Sequence, residues 1–233
     1  VYKYCETNSG CQSVFILGDV IYEKGIKNLQ DIQFQSKFEN PYKDIRIPIY
    51  IGYGNHDYLG CINCYIEYSN ISSKWKMPSR YYEVQTDYVD FYMIDTEKFD
   101  PVQQQWLSNE LNNSNKNSQI VLGHRPLITS ESTKIGEKWS GMDQLQNIIC
   151  RTAEFYISGH AHILEDQGKI SNCNTRQLIS GAGGAYPRKV NPKYIGKFFL
   201  EDNGFLVITT TPSNLNYGFV DKNGNQLHQG TIN

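Results

Sequence analysis

Apolar positions along the chain fall in short runs, and their spacing changes character twice. Residues 1–13 are polar and read as loop. Ser13 to Val20 reads as a buried strand, and residues 27–40 are mixed, with a helix expected before Asn40-Pro41. Arg46 to Tyr53 is an isoleucine-rich strand, and Gly54 then permits a tight turn. From Cys61 to Lys76 the apolar residues Ile62, Ile66, Ile71 and Trp75 have helical spacing. Tyr81 to Val84 and Val89 to Ile94 read as two strands joined at Thr86-Asp87-Tyr88. Pro101 suits the first turn of a helix, where its missing N–H costs nothing, and that helix runs on through Trp106, Leu107 and Leu111. Gln119 to Leu122 is a strand, Met142 to Arg151 a helix and Glu154 to Ser158 a strand. Beyond that the helices stop. Arg176 to Ser180, Phe205 to Thr211, Tyr217 to Val220 and Gln226 to Thr231 read as strands, with Asp221-Lys222-Asn223-Gly224 as a hairpin turn. Alternating strands and helices followed by antiparallel strands predict an α/β sandwich with two facing sheets. No repeat or linker divides the chain, so residues 1–233 are expected to form one domain.

Four of the apolar runs end the same way. Phe15-Ile16-Leu17 leads to Gly18-Asp19, Tyr53 to Gly54-Asn55-His56, Val121-Leu122 to Gly123-His124, and Phe155-Tyr156-Ile157-Ser158 to Gly159-His160-Ala161-His162. Each run delivers a side chain able to bind metal just after a glycine. In α/β sheets ligands gather at the carboxyl ends of strands. If the strand direction persists past Gly159, His160 and His162 point to one side and leave the strand together. Two adjacent metals need a bridging carboxylate, for which Asp19 is the candidate. They also need imidazole nitrogens, supplied by His124, His160 and His162, and Asn55 can add an amide oxygen. Tyr22, three residues after Asp19, offers a phenolate suited to Fe(III). His56 is not needed as a ligand and could protonate a leaving alkoxide. Singly each of these residues has an ordinary structural reading, as a turn, a core tyrosine or a loop histidine. The ordered set is what points to chemistry.

A net charge of −2 and a pI near 6.2 leave no basic face for nucleic acid or an anionic membrane surface. No apolar run approaches the roughly 20 residues of a membrane span. Six cysteines fall in sequence-local pairs: Cys5 with Cys11, Cys61 with Cys64 in a C-x-x-C, and Cys150 with Cys173 flanking the His160 strand. An even, paired count suits disulfides and an oxidising compartment. A zinc site from Cys5, Cys11, Cys61 and Cys64 is disfavoured by the wide Cys5–Cys11 spacing, and buried free thiols are the remaining alternative. The chain does not begin with Met and shows no signal peptide, which reads as a mature form or a fragment.

The order Gly-Asp-x-x-Tyr, Gly-Asn-His-Asp, Gly-His-x-Pro (Gly123-His124-Arg125-Pro126) and Gly-His-x-His resembles the calcineurin-like metallophosphoesterases. The tyrosine narrows the resemblance to the purple acid phosphatases, and Glu23-Lys24-Gly25 lacks the Asp-Arg-Gly of the Ser/Thr protein phosphatases. Ile66 to Ser72, Trp75, Pro78-Ser79-Arg80-Tyr81-Tyr82, Met93-Ile94-Asp95-Thr96 and Ser180-Gly181-Ala182-Gly183 look like the tartrate-resistant type, so the likeness spans roughly Val14 to Thr211. The resemblance implies a four-layer α/β/β/α sandwich and an acid phosphatase that hydrolyses phosphate monoesters with a metal-bridging hydroxide. Asp19 would bridge the metals, Tyr22 and His162 would bind Fe(III), and Asn55, His124 and His160 would bind a divalent Fe, Zn or Mn. His56 would contact the phosphate and assist the leaving group. The substrate would be a small phosphorylated molecule, and the compartment secreted, periplasmic or lysosomal in type.

The resemblance also has a gap. The family carries one more metal-binding aspartate on its first strand, in an Asp-x-Gly context, whereas none of the 18 residues before Asp19 is Asp. The first strand and first helix of the family are therefore expected to be absent from this stretch. Two other functions share the motifs: a nucleotide- or phosphodiester-directed enzyme, and an inactive scaffold or binding protein. Asp31 and Asp44 lie in no comparable motif, and His228 reads as a surface residue.

Overall fold

A computed structural model describes all residues except Ser9, Asn117 and Asn233. A short helix α1 (Tyr2–Thr7) precedes β1 (Val14–Ile16), which pairs in parallel with β2 (Ile49–Ile51), itself parallel to β3 (Trp75–Lys76). Between β1 and β2 lies a π-helix, Phe34–Glu39, and between β2 and β3 lies α2 (Ile62–Glu67). The large sheet begins with the antiparallel pair β4 (Tyr82–Gln85) and β5 (Val89–Met93). Helix α3 (Pro101–Asn113) crosses to β6 (Ser118–Gly123), and α4 (Met142–Ile149) crosses to β7 (Phe155–Ser158), both returning parallel. Then come β8 (Leu164–Lys169), β9 (Arg176–Ser180) and β10 (Phe198–Leu200), completing a seven-stranded sheet in the order β10-β8-β9-β7-β6-β5-β4. The antiparallel strands β11 (Gly204–Thr210), β12 (Leu215–Asp221) and β13 (Gln226–Ile232) form a third sheet.

Alternation along the central strands builds the layers. Phe91 and Met93, Ile120 and Leu122, Phe155 and Ile157 face one core, shared with Ile49 and Ile51 of β2 and Leu215, Tyr217 and Phe219 of β12. Tyr92, Val121 and Tyr156, one residue out of phase, face a second core with Leu107 and Leu111 of α3 and Leu145 and Ile149 of α4. Period-two side chains thus place helices on one face of the large sheet and the small sheets on the other. Phe34 and Phe38 of the π-helix pack on Trp75, which adds the outer layer. The result is the α/β/β/α sandwich expected from the sequence, with the second β layer divided into two short sheets. Among the described residues no helix is long and apolar enough to cross a membrane.

Several local expectations are corrected. Residues 2–7 are helical, with Tyr4 edge-on to Phe205. The apolar spacing from Cys61 to Lys76 is not one helix. Helix α2 gives way to a 3-10 turn at Tyr68–Asn70, and Trp75 joins the sheet opposite Ile49 because strand pairing and burial outweigh helical spacing. Strand β8 carries Glu165 and Asp166, both fully buried, and such a sequence has no apolar signature. His228 is half-buried and stacks on Phe198 with its Nε2 3.0 Å from Asp166, so it is not a surface residue. All six cysteines are disulfide-bonded as paired from sequence, Cys5–Cys11, Cys61–Cys64 and Cys150–Cys173, which removes both the zinc and the free-thiol alternatives.

Candidate metal centre

Strands β1, β2, β6 and β7 end at one edge of the fold, and the four glycine units follow those ends. Ile16 is level with Ile51 and Gly123 with Ser158. Gly18 lets the first two loops meet: a Cβ there would lie 2.6 Å from the backbone N of Gly54. Its φ of +89° and that of Asp19, +54°, turn the chain out of β1 and swing the Asp19 carboxylate across the strand ends. The strand read over Ser13 to Val20 therefore stops at Ile16. His160 has φ +61°, so the strand direction does not persist past Gly159. The two imidazoles do not leave side by side as expected; they approach the site from different directions.

Asp19 stands between two groups. Its Oδ2 accepts from the Tyr22 hydroxyl (3.0 Å) and lies 3.3 Å from His124 Nε2. Its Oδ1 accepts from the His56 backbone N–H at 2.9 Å. On one side, His124 Nε2 is 3.1 Å from Asn55 Oδ1 and 3.1 Å from His160 Nδ1. On the other, the Tyr22 hydroxyl is 3.2 Å from His162 Nε2. Asp19, His124 and His160 each present a ligand atom within 4.8 Å of the others. The seven residues singled out from sequence thus meet around one carboxylate.

The protons decide what this arrangement can hold. His124 Nδ1 sits 2.7 Å from the carbonyl of Leu17, which only accepts, so Nδ1 carries the hydrogen and Nε2 presents a lone pair. That lone pair faces a carboxylate oxygen, an amide oxygen and a second imidazole nitrogen. His162 Nδ1 likewise faces the carbonyl of Tyr186 at 3.3 Å, leaving its Nε2 as a lone pair toward Tyr22. With His124 neutral these are acceptors facing acceptors, and either a proton or a metal ion between them relieves the arrangement. The same pressure appears in the protonation of His124: burial works to lower its pKa, but the hydrogen bond and charge of Asp19 outweigh burial and hold it up. Burial would raise Asp19, yet the His124 partnership holds it below the usual carboxylate range. Burial, then the charge of Asp19, pushes Tyr22 well above an ordinary phenol. Burial and the neighbouring His124 hold His160 down, and burial lowers His162. Asp19, His124 and His160 lie close enough to hold one cation between them, and Asn55, Tyr22 and His162 flank that group with further oxygen and nitrogen donors.

His56 stands apart from this set. Its Nδ1 is 2.6 Å from the Glu23 carbonyl and its ring lies against Tyr22, centroids 4.4 Å apart. Asp57 is buried beneath the loops and accepts from the N–H groups of both Asp19 and Gly54 at 2.8 Å, tying the first two units together. Sequence reasoning passed over three supports. Two are the backbone carbonyls of Leu17 and Tyr186, which no side-chain pattern can reveal. The third is Glu137, both of whose carboxylate oxygens lie within 3.2 Å of His160 Nε2, on a polar loop with no motif. A cavity of about 370 Å³ opens beside it, lined by Arg125, Lys134, Glu137, Trp139, Met142 and His160.

The sequence profile of calcineurin-like phosphoesterases matches residues 2–164. Tartrate-resistant acid phosphatase type 5 of Oryctolagus cuniculus is 25% identical over 260 aligned positions, covering 94% of this chain and 78% of the relative. Among solved structures, GAP50, the anchor in the inner membrane complex of Plasmodium, superposes with a TM-score of 0.82 at 20% identity, covering 100% of this chain and 82% of its own. A purple acid phosphatase from yellow lupin seeds superposes at 0.79 and 20% identity, covering 99% of this chain and 48% of its own. The chain belongs to the calcineurin-like phosphoesterase family.

Proposed function

We propose that this chain is an acid phosphatase that hydrolyses phosphate monoesters at a dinuclear centre of Fe(III) and a divalent Fe, Zn or Mn. The observation that carries the reading is the convergence of nitrogen and oxygen donor atoms on both sides of Asp19, with His124, His160 and Asn55 on one side and Tyr22 and His162 on the other. Tyr22 and His162 would hold the Fe(III), Asn55, His124 and His160 the divalent metal, and Asp19 both. Bound there, the metals would supply Lewis-acid charge for the phosphoryl oxygens and an acidified water as nucleophile. The residues do the rest. The Leu17 and Tyr186 carbonyls hold His124 and His162 in the tautomer that presents Nε2. His56 Nδ1 donates to the Glu23 carbonyl, so its Nε2 is free to contact the phosphate and, in the imidazolium form, to give a proton to the departing alkoxide. The three disulfides favour an oxidising, secreted or lysosomal-type compartment.

A non-catalytic scaffold is the second reading, favoured by the absence of any aspartate among the 18 residues before Asp19. Metal analysis with visible spectroscopy separates the two. The purified protein should carry two metals per chain and be purple to pink from tyrosinate-to-Fe(III) charge transfer, and Tyr22→Phe should bleach the band while keeping the fold. A wild-type protein that takes up no metal overturns the enzyme; one that holds two metals but is colourless when oxidised overturns the Fe–Tyr22 pairing.

A further inference from the structure

We infer that Glu137 is a positioning residue for His160, fixing the imidazole tautomer that aims its Nδ1 lone pair at the divalent-metal side of the centre. This rests on the dinuclear reading above and deepens it. A neutral imidazole carries one proton. For Nδ1 to serve as a ligand, that proton must sit on Nε2, and second partners of metal-binding histidines commonly enforce this. His160 Nδ1 is the atom that faces His124 Nε2 at 3.1 Å, so Nδ1 is the nitrogen turned inward. Nε2 turns outward to the loop after His124.

Two groups compete there for the Nε2 position, and they ask for opposite tautomers. Glu137 offers Oε2 at 3.1 Å and Oε1 at 3.2 Å, and a carboxylate only accepts, so it requires a proton on Nε2. Arg125 Nη1 lies 3.4 Å from the same nitrogen and only donates; it requires a bare Nε2 and would drive the proton to Nδ1, where it would block the metal side. The geometry favours the carboxylate. Its two contacts, at 3.1 and 3.2 Å, are shorter than the 3.4 Å of Arg125. Arg125 is also committed elsewhere: its Nε and Nη2 grip both oxygens of Glu97 at 2.7 and 2.9 Å, and its Nη1 pairs with Glu137 itself. Lys134 Nζ, 3.3 Å from Glu137 Oε2, adds a second cation that keeps the carboxylate in place. The Glu137 side chain is about one-third exposed, so replacing it removes this contact without hollowing the core.

The test is made first on metal-free protein. In nitrogen-15 spectra of chelator-treated wild type at neutral pH, His160 (assigned by its loss in His160→Ala) should be the Nε2–H tautomer. In Glu137→Ala, Arg125 is left as the neighbour of Nε2, and the ring should shift to Nδ1–H. Glu137→Gln, whose amide oxygen can still accept, should fall between the two. The second readout is titration with Zn(II): Glu137→Ala should weaken divalent binding by about 10–100-fold, with the tyrosinate–Fe(III) colour retained because Glu137 touches neither Tyr22 nor His162. An unchanged His160 tautomer in Glu137→Ala overturns the inference. Failure of wild type to bind any metal would instead remove the dinuclear reading, and the tautomer measured without metal keeps the two failures distinct.

Discussion

Two buried carboxylates in this fold are surrounded by the same residue types and do opposite things. Asp19 has a tyrosine hydroxyl at 3.0 Å and a histidine Nε2 at 3.3 Å. Asp166 has a tyrosine hydroxyl, Tyr217, at 2.7 Å and a histidine Nε2, His228, at 3.0 Å. The difference lies in the proton count. Asp166 also receives Arg176 Nη1 on both oxygens at 2.9 Å and the Gly168 N–H at 2.8 Å, so it is surrounded by donors and its charge is met by a guanidinium, with no place for a metal. Around Asp19 the next neighbours outward are Asn55 Oδ1, His160 Nδ1 and His162 Nε2, which add acceptors. An Asp-Tyr-His cluster is therefore no signature of a metal site. A surplus of acceptors over hydrogens is, and the backbone carbonyls of Leu17 and Tyr186 create that surplus by claiming the protons on the far side of each ring.

Removing the shared carboxylate should give the largest effect. Asp19→Asn keeps the shape but deletes the charge that both sides of the centre use, so both metals should be lost and kcat/KM should fall by at least ~10³-fold, beyond what one electrostatic contact typically supplies. His160→Ala should lose the divalent metal and keep the iron colour, whereas His162→Ala should lose the colour. Metal analysis and absorbance on the three variants check this. Retention of both metals in Asp19→Asn would show that the acceptor surplus was misread.

His56 sharpens the contrast from the other direction, because it sits beside the acceptors without joining them. His56→Ala should leave metal content at the wild-type level and lower kcat/KM on an alkyl phosphate by about 10²–10⁴-fold, the usual worth of a general acid. The loss on an aryl phosphate should be smaller, since an acidic phenol departs without a proton. Equal losses on the two esters, or loss of a metal, would remove the proton-donor role.

Much of this was legible in the chain. The glycine units placed Asp19, Asn55, His56, His124, His160 and His162 at strand ends because strand periodicity and glycine turns are local properties. Local reading failed where a distant partner decided the outcome. Trp75 reads as helical and is a strand because Ile49 pairs with it. Leu164–Lys169 drew no assignment from its sequence and is a buried strand because Ser130, Thr129 and Arg176 satisfy Glu165 and Asp166. His160 and His162 read as parallel neighbours, and the φ of +61° at His160 separates them. Glu137 gave no signal, since its role depends on which nitrogen of His160 faces out. His228 read as surface for the same reason: its partners, Phe198 and Asp166, are distant in sequence.

The smallest functional effect is expected at Asp166, and it is the sharpest control for the comparison. Asp166→Asn should leave metal content, colour and turnover unchanged, because no acceptor surplus exists there to be disturbed. Its effect should be on stability. Loss of one partner of a fully buried pair typically costs about 3–5 kcal/mol; Arg176 keeps 24% of its side chain exposed and can recover some hydration, so a value no higher than the lower end, about 3 kcal/mol, is expected. The pH dependence has a definite sign. Burial would raise the Asp166 pKa, but Tyr217, His228 and Arg176 together outweigh it and hold the carboxyl below the ordinary value. A depressed acid means that the unfolded chain binds the proton first as pH falls, so the stabilisation is present above about pH 4 and is lost below it, as pH passes through the folded-state value. Denaturation curves of wild type and Asp166→Asn should therefore be separated at pH 7 and draw together as the solution is acidified below pH 4. If the variant instead lost iron or colour, the two clusters would not differ in kind, and proton counting would fail as the criterion that tells a metal site from a structural one.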